Sequence, residues 1–128
     1  MAFQYSVAVR NAKLDQIETT IGTAPLLRIF SGAEPANCAA ADPSGTLATI
    51  TLPSDWMAAA SAGAKAKSGT WSVAASGTGT AASWRIKDSS DTTCHIQGNT
   101  TDMTFDNTSI SSGQTVTVNT FTITAGNA

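Results

Sequence analysis

Charge is scarce in this chain: Asp, Glu, Lys and Arg together make up 12% of its 128 residues, about half the usual globular share. The net charge of −2 leaves no basic excess, which excludes the electrostatic footprint that nucleic-acid binding normally needs. His95 is the one histidine, so no multi-histidine metal site can be assembled within one chain. Aromatics amount to 6%. Trp56, Trp71, Trp84, Phe105 and Phe121 are therefore expected to supply much of the bulk of a thin core. No apolar run approaches the roughly 18 to 20 residues needed to cross a bilayer, and no membrane partner is expected. The segment Met1-Ala-Phe-Gln-Tyr lacks the basic and apolar regions of a signal peptide, from which synthesis in the cytoplasm is expected. Cysteine is limited to Cys38 and Cys94, far apart and without a CxxC pattern. A disulfide between them is geometrically possible but not indicated by spacing. The expectation is two buried or half-buried free thiols, since a reducing compartment opposes the bond.

What is present is alternation. Ser83-Trp84-Arg85-Ile86-Lys87 alternates polar with apolar, breaks at Asp88-Ser89-Ser90-Asp91, and resumes in Thr93-Cys94-His95-Ile96-Gln97. Two period-2 runs around a short polar break read as a β-hairpin, with Trp84, Ile86, Cys94 and Ile96 on one pleated face. Asp102 to Asp106 adds a third run with Met103 and Phe105 inward. After the turn signal Ser111 to Gln114 comes a β-branched run from Thr115 to Thr124, which suits a half-buried strand.

The earlier part of the chain is less regular. Phe3, Val7, Leu14, Ile17 and Ile21 fall near one helical stripe, and Gly22 is a natural stop, so a helix is expected from Phe3 to Ile21. Its simplest role is to close the protein's own core; reaching to a neighbour is the alternative. Leu26 to Phe30 reads as a strand buried on both sides or near a sheet centre. Ala33 to Gly45, with Pro35, Asn37, Asp42 and Pro43, is a loop by every breaker signal. Thr46 to Leu52 alternates and ends at Pro53. A turn is expected near Trp56, where Ser54-Asp55 could cap one helical turn, and a strand from Ala64 to Val73. Ala74 to Ala81 lacks bulk and is expected to be an exposed loop. Seven or eight strands at roughly ten-residue spacing predict a mainly β, single-domain antiparallel β-sandwich or jelly-roll-like fold with one N-terminal helix. Residues 1–22 form the helical segment and 23–128 the β-domain, in one folding unit.

Reactive constellations are missing from this pattern. His95 and Cys94 alternate across a strand and point to opposite faces, which disfavours a nucleophile–base pair. No GxSxG elbow appears, and Ser76-Gly77-Thr78-Gly79-Thr80 lacks the lysine of a phosphate-binding loop. Asp88, Asp91, Asp102 and Asp106 could gather around calcium, but carboxylates in such places more often bond turn amides. The sequons Asn99-Thr100-Thr101 and Asn107-Thr108-Ser109 are expected by chance in a Thr-rich chain. No catalytic residue, cofactor or metal is expected, and the chain is not read as an enzyme.

A family resemblance enters at three stretches. Leu27-Arg28-Ile29-Phe30-Ser31-Gly32 with Pro35, after a short N-terminal helix, is similar to small virion-associated proteins encoded in tailed-bacteriophage genomes. So are Gly79 to Asp88 and the ending Asp106 to Ile110, Gly113 to Val116 and Phe121 to Thr124. The resemblance implies a virion structural component, carried by strands and turns, and transfers no functional residue. Low charge and a Ser/Thr/Ala-rich surface add the expectation of a capsid decoration or cement protein. It would bind the major capsid protein and itself, as a dimer or trimer, on the outside of the shell. A tail, collar or head-fibre component, with or without receptor or glycan binding, is the alternative. The candidate contact residues are Phe3 and Tyr5, Pro35, Asn37 and Pro43 in the long loop, and Thr78 in the Gly/Ser/Thr segment.

Overall fold

A computed structural model describes residues 3–127. Its elements are helix α1 (Val7–Ile21) and ten strands. They are β1 (Leu26–Phe30), β2 (Thr46–Thr51), β3 (Ala64–Ala66), β4 (Ser72–Ala74), β5 (Gly79–Thr80), β6 (Ser83–Lys87), β7 (Cys94–Asn99), β8 (Met103–Phe105), β9 (Ser109–Ile110) and β10 (Thr115–Thr124). Met1, Ala2 and Ala128, which the expected division into 1–22 and 23–128 includes, lie outside the described residues. The protein is mainly β with antiparallel sheets and one helix near the N-terminus.

The first sheet has the order β2-β1-β6-β7. Its central strand β1 is the apolar run bounded by Pro25 and Gly32. Leu27 lies opposite Ile50 on one side and Ile86 on the other, and Ile29 lies between Ala48 and Trp84. These alternating positions form one apolar layer. The second sheet is built on β10, the long Thr/Val strand. Its first residues pair with β4, its middle with β8 and its last residues with β3. A third, two-stranded sheet joins β5 to β9.

Between the two larger sheets runs a chain of aromatic rings. Trp56 meets Trp71 at 6.1 Å between centroids, Trp71 meets Phe121 at 5.9 Å, and Trp84 meets Phe121 edge-on at 5.2 Å. Each buried indole N–H finds a carbonyl: Trp56 donates to Gly22, Trp71 to Ser68 and Trp84 to Asn99. Such rings bring large apolar area without leaving a polar group unpaired. Gly98 on β7 makes this packing feasible, since a Cβ there would come within 2.5 Å of the Trp84 ring.

Helix α1 starts one turn later than the apolar stripe suggests. Ser6 caps it by accepting from the Val9 amide at 3.2 Å, and Gly22 ends it at φ 91°. Phe3 falls before the helix and Val7 is exposed; only Leu14 and Ile21 are buried, with Ile17 packed against the core. Polar side chains do the rest of the docking. Asn11 accepts from the Gly63 amide, Asp15 from Ala60 and Glu18 from Met57. Lys65, 1% exposed, donates to Asp15, Glu18 and the Ala58 carbonyl at 2.8 to 2.9 Å. Burial alone would lower its pKa, but the bonds to Asp15 and Glu18 outweigh that and leave it above the ordinary lysine value.

Several local expectations are corrected. Trp56 is not in a helical turn; the neighbouring Met57 bridges to Lys67. Ala74 to Ala81 is not wholly an exposed loop, because β5 pairs within it and Ala75 and Ala81 are buried. Ten strands stand among the described residues in place of the expected seven or eight: the strand expected from Ala64 to Val73 is two, β3 and β4, and the two-residue β5 and β9 add to the count. One bulge matters for chemistry. Ile86 pairs with Ile96 but Lys87 pairs with Cys94, so β7 spends two residues where β6 spends one. Cys94 thereby leaves the face of Trp84 and Ile86 and joins Lys87 outside, while His95 turns toward α1.

Candidate functional site

The outward phase of β6 is Ser83, Arg85 and Lys87, residues that alternation assigns to solvent. All three are buried. The cause is the loop from Ser31 to Gly45, which folds back over the first sheet. Ser83 donates to the Gly32 carbonyl at 2.7 Å and Gln97 to the Pro35 carbonyl at 2.7 Å. Arg85, 2% exposed, donates to the carbonyls of Asn37 and Ala40, to Asp42 and to Gln97, all at 2.9 to 3.1 Å. Its Nε has no hydrogen-bond partner among the described residues. The loop holds its own shape through Asn37, whose side-chain oxygen accepts from the amides of Ala39 and Ala40.

Two carboxylates knit three cations together here. Asp42 bridges Arg85 and Lys87 at 3.0 and 2.9 Å. Asp91 pairs with Lys87 at 3.2 Å and takes both Arg28 Nε and the Arg28 terminal nitrogen. Burial works against the charge of Asp42, but Lys87 and then Arg85 outweigh it and hold its pKa below the ordinary carboxylate value. Lys87 shows the mirror image: burial lowers it, Asp42 and Asp91 prevail, and it ends above the ordinary lysine value. Asp88 begins the hairpin turn and accepts from the amide and hydroxyl of Thr92 and the amide of Thr93, which lowers its pKa to about 2. Asp102 and Asp106 likewise bond the amides of Asn99 and Thr117. The four aspartates thus serve turns and ion pairs.

An open cavity of about 560 Å³ lies between the loop and the β6–β7 hairpin, lined among others by Cys38, Asp42, Arg85, Lys87, Thr93 and Cys94. Both cysteines are free and half-buried, as expected, yet they are neighbours. Burial first, and then hydrogen bonding to the Cys38 thiol, pushes Cys94 up to about 12. A second groove, of about 300 Å³, runs between α1 and β7 and includes Lys13, Ile17, His95 and Ile96.

The expected contact residues fall in separate places. Phe3 is 62% exposed and meets Tyr5 edge-on at 5.3 Å. Tyr5 donates its amide to the Asn127 carbonyl at 2.6 Å, and its ring carries the Lys13 ammonium at 4.4 Å. Asn37 is exposed, and Pro35 and Pro43 are half-buried on the loop just described. Thr78 is exposed and accepts from the Ser112 amide at 3.0 Å. The loop end and the Thr78 segment converge near Ser31, which lies against both Gly45 and Gly79. Sequence reasoning missed the Arg85–Asp42–Lys87 cluster and buried Lys65. The available signal was that two of the seven Lys and Arg residues stand two apart in one short strand.

Comparisons with protein-family models, with curated proteins and with solved structures find no match for this chain. Among the described residues, no helix is long and apolar enough to cross a membrane.

Proposed function

We propose that this protein is a bacteriophage virion structural protein that binds the outside of the capsid as a homo-oligomer and stabilises the shell. The observation that carries the docking part is the placement of exposed apolar side chains. The large hydrophobics exposed among the described residues are Phe3, Val7 and Val9, at 62%, 48% and 43%, all within one short N-terminal stretch. On a surface otherwise rich in Ser, Thr and Ala, a local apolar patch supports a protein contact. The resemblance of the strand and turn segments to small virion-associated phage proteins supplies the setting. The buried cations Lys65, Arg85 and Lys87 are engaged in holding the helix and the loop to the sheets, which supports a scaffold in preference to a reaction centre.

An interface of about 1,200 to 2,000 Å² suffices for stable docking, and repetition over a lattice adds avidity. Particles lacking the protein should release DNA at lower temperature or on osmotic shock while keeping their tails. Hundreds of copies per particle fit the capsid reading, whereas about six to a few dozen fit the rotational symmetry of a tail, collar or head fibre. Deletion particles as robust as wild type, or protein confined to the tail, would replace the cement reading by that second one. At residue level, Phe3→Ser should leave stability within about 0.5 kcal/mol of wild type and weaken docking on depleted particles about tenfold, an effect of about 1.4 kcal/mol. Undiminished docking would remove Phe3 from the contact.

A further inference from the structure

We infer that Cys38 and Cys94 form a reversible redox pair, whose disulfide staples the Ser31–Gly45 loop to the β6–β7 hairpin. The two residues come from distant parts of the chain and meet in one open cavity. Each is placed by bonds that do not involve sulfur. Arg85 takes the carbonyls of Asn37 and Ala40, the residues just before and two after Cys38, and so holds that stretch against β6. The bulge in β7 puts Cys94 opposite Lys87 on the same outer face. Asp42 then ties the loop to Lys87 and Arg85 together. Both thiols are partly exposed, so a small reagent can reach them. Arg85, which lines the same cavity, favours the Cys94 thiolate against burial and the neighbouring Cys38, which both raise its pKa.

The chemistry needs a low-molecular-weight disulfide, RSSR, as oxidant. The Cys38 thiolate attacks one sulfur of RSSR, forming a Cys38–SR bond and expelling the first RS⁻, which takes up a proton. Cys94 then gives up its proton to solvent through the open cavity. The Cys94 thiolate then attacks the Cys38 sulfur, forming the Cys38–Cys94 bond and releasing the second RSH. The protein dithiol loses two electrons and two protons, and RSSR becomes two thiols. The segment between the two cysteines contains β2 to β6, so the closed bond removes much freedom from the unfolded chain. None of this depends on the virion reading.

The test uses the reduced full chain under native conditions with oxidised glutathione. The expected product has lost two hydrogens, shows a Cys38–Cys94 linked peptide after digestion without reductant, and melts about 10 °C higher. Dithiothreitol should restore the original mass and melting temperature. Cys38→Ser and Cys94→Ser should each fold as the reduced parent does and stop at a single glutathione adduct. A persistent adduct on the parent, two unreacted thiols after prolonged oxidation, or linkage between chains in place of within one would overturn the inference. A linked peptide without a rise in melting temperature would overturn the staple.

Discussion

Strand β6 is buried on both faces, and the two faces are buried in different ways. Trp84 and Ile86 point into hydrocarbon, against Ile29, Leu27 and Phe121. Arg85 and Lys87 point the other way, into a layer of backbone carbonyls and carboxylates contributed by one loop. The inner face gains from removing apolar area from water, a contribution that is non-directional and tolerant of small shifts. The outer face gains only while donors and acceptors keep their geometry, because a buried charge that loses its partner is costly. The comparison shows that alternation reports which way a side chain points. Whether that side is wet depends on what folds over it.

The largest expected effect breaks the inner face. Trp84→Ala should cost about 3 to 5 kcal/mol through lost burial and the cavity left behind, measured by denaturant unfolding. A loss within about 0.5 kcal/mol, the range of ordinary surface changes, would show that the ring contributes little to the core. Next comes the outer face. Arg85→Met keeps much of the packed stem but leaves the carbonyls of Asn37 and Ala40 without their arginine donor and Asp42 with Lys87 alone, and should cost about 2 to 4 kcal/mol. The two variants should differ in kind. Arg85→Met should free the loop and speed alkylation of the Cys38 thiol in the folded protein, whereas Trp84→Ala should not do so selectively. Equal labelling rates at Cys38 in both would mean that the loop stays down without its arginine.

The smallest effect sharpens the comparison through pH. Asp42 and Asp88 have folded pKa values lowered from 3.8, Asp88 to about 2. A lowered carboxylate pKa contributes stability that is fully present above the unfolded value and lost as pH falls through the folded one. The melting temperature should therefore hold from neutral pH down to about 4, and fall as the pH drops further toward 2. Asp42→Asn should start lower and show a shallower acid limb. Parallel limbs for wild type and Asp42→Asn would mean that the outer ion cluster is not what acid dissolves.

Much of the fold is legible because it depends on neighbours in sequence. The Ser83–Lys87 and Cys94–Asn99 hairpin, the central position of Leu26–Phe30 and the Gly22 stop all follow from local periodicity and backbone preference. The helix is legible as an element, but not its means of attachment. Its apolar stripe is weak, and the groups that dock it are Asn11, Asp15 and Glu18 against a segment some fifty residues away. The candidate contacts were legible only as loops. That Asn37 lends its carbonyl to a buried arginine has no signature in a window of neighbouring residues.

What the sequence by itself determined is therefore the β6–β7 hairpin, the strands β1, β2 and β10 and the low content of charge, all of which are features of local sequence. The tertiary structure alone decided that the Ser31–Gly45 loop lies over Arg85 and Lys87. It also decided that Lys65 of β3 reaches Asp15 and Glu18 of α1, and that one extra residue in β7 brings Cys94 out to the cavity it shares with Cys38. Each of these depends on distant segments satisfying one another's charges and hydrogen bonds, and such pairing exists only once the sheets have put those segments within reach.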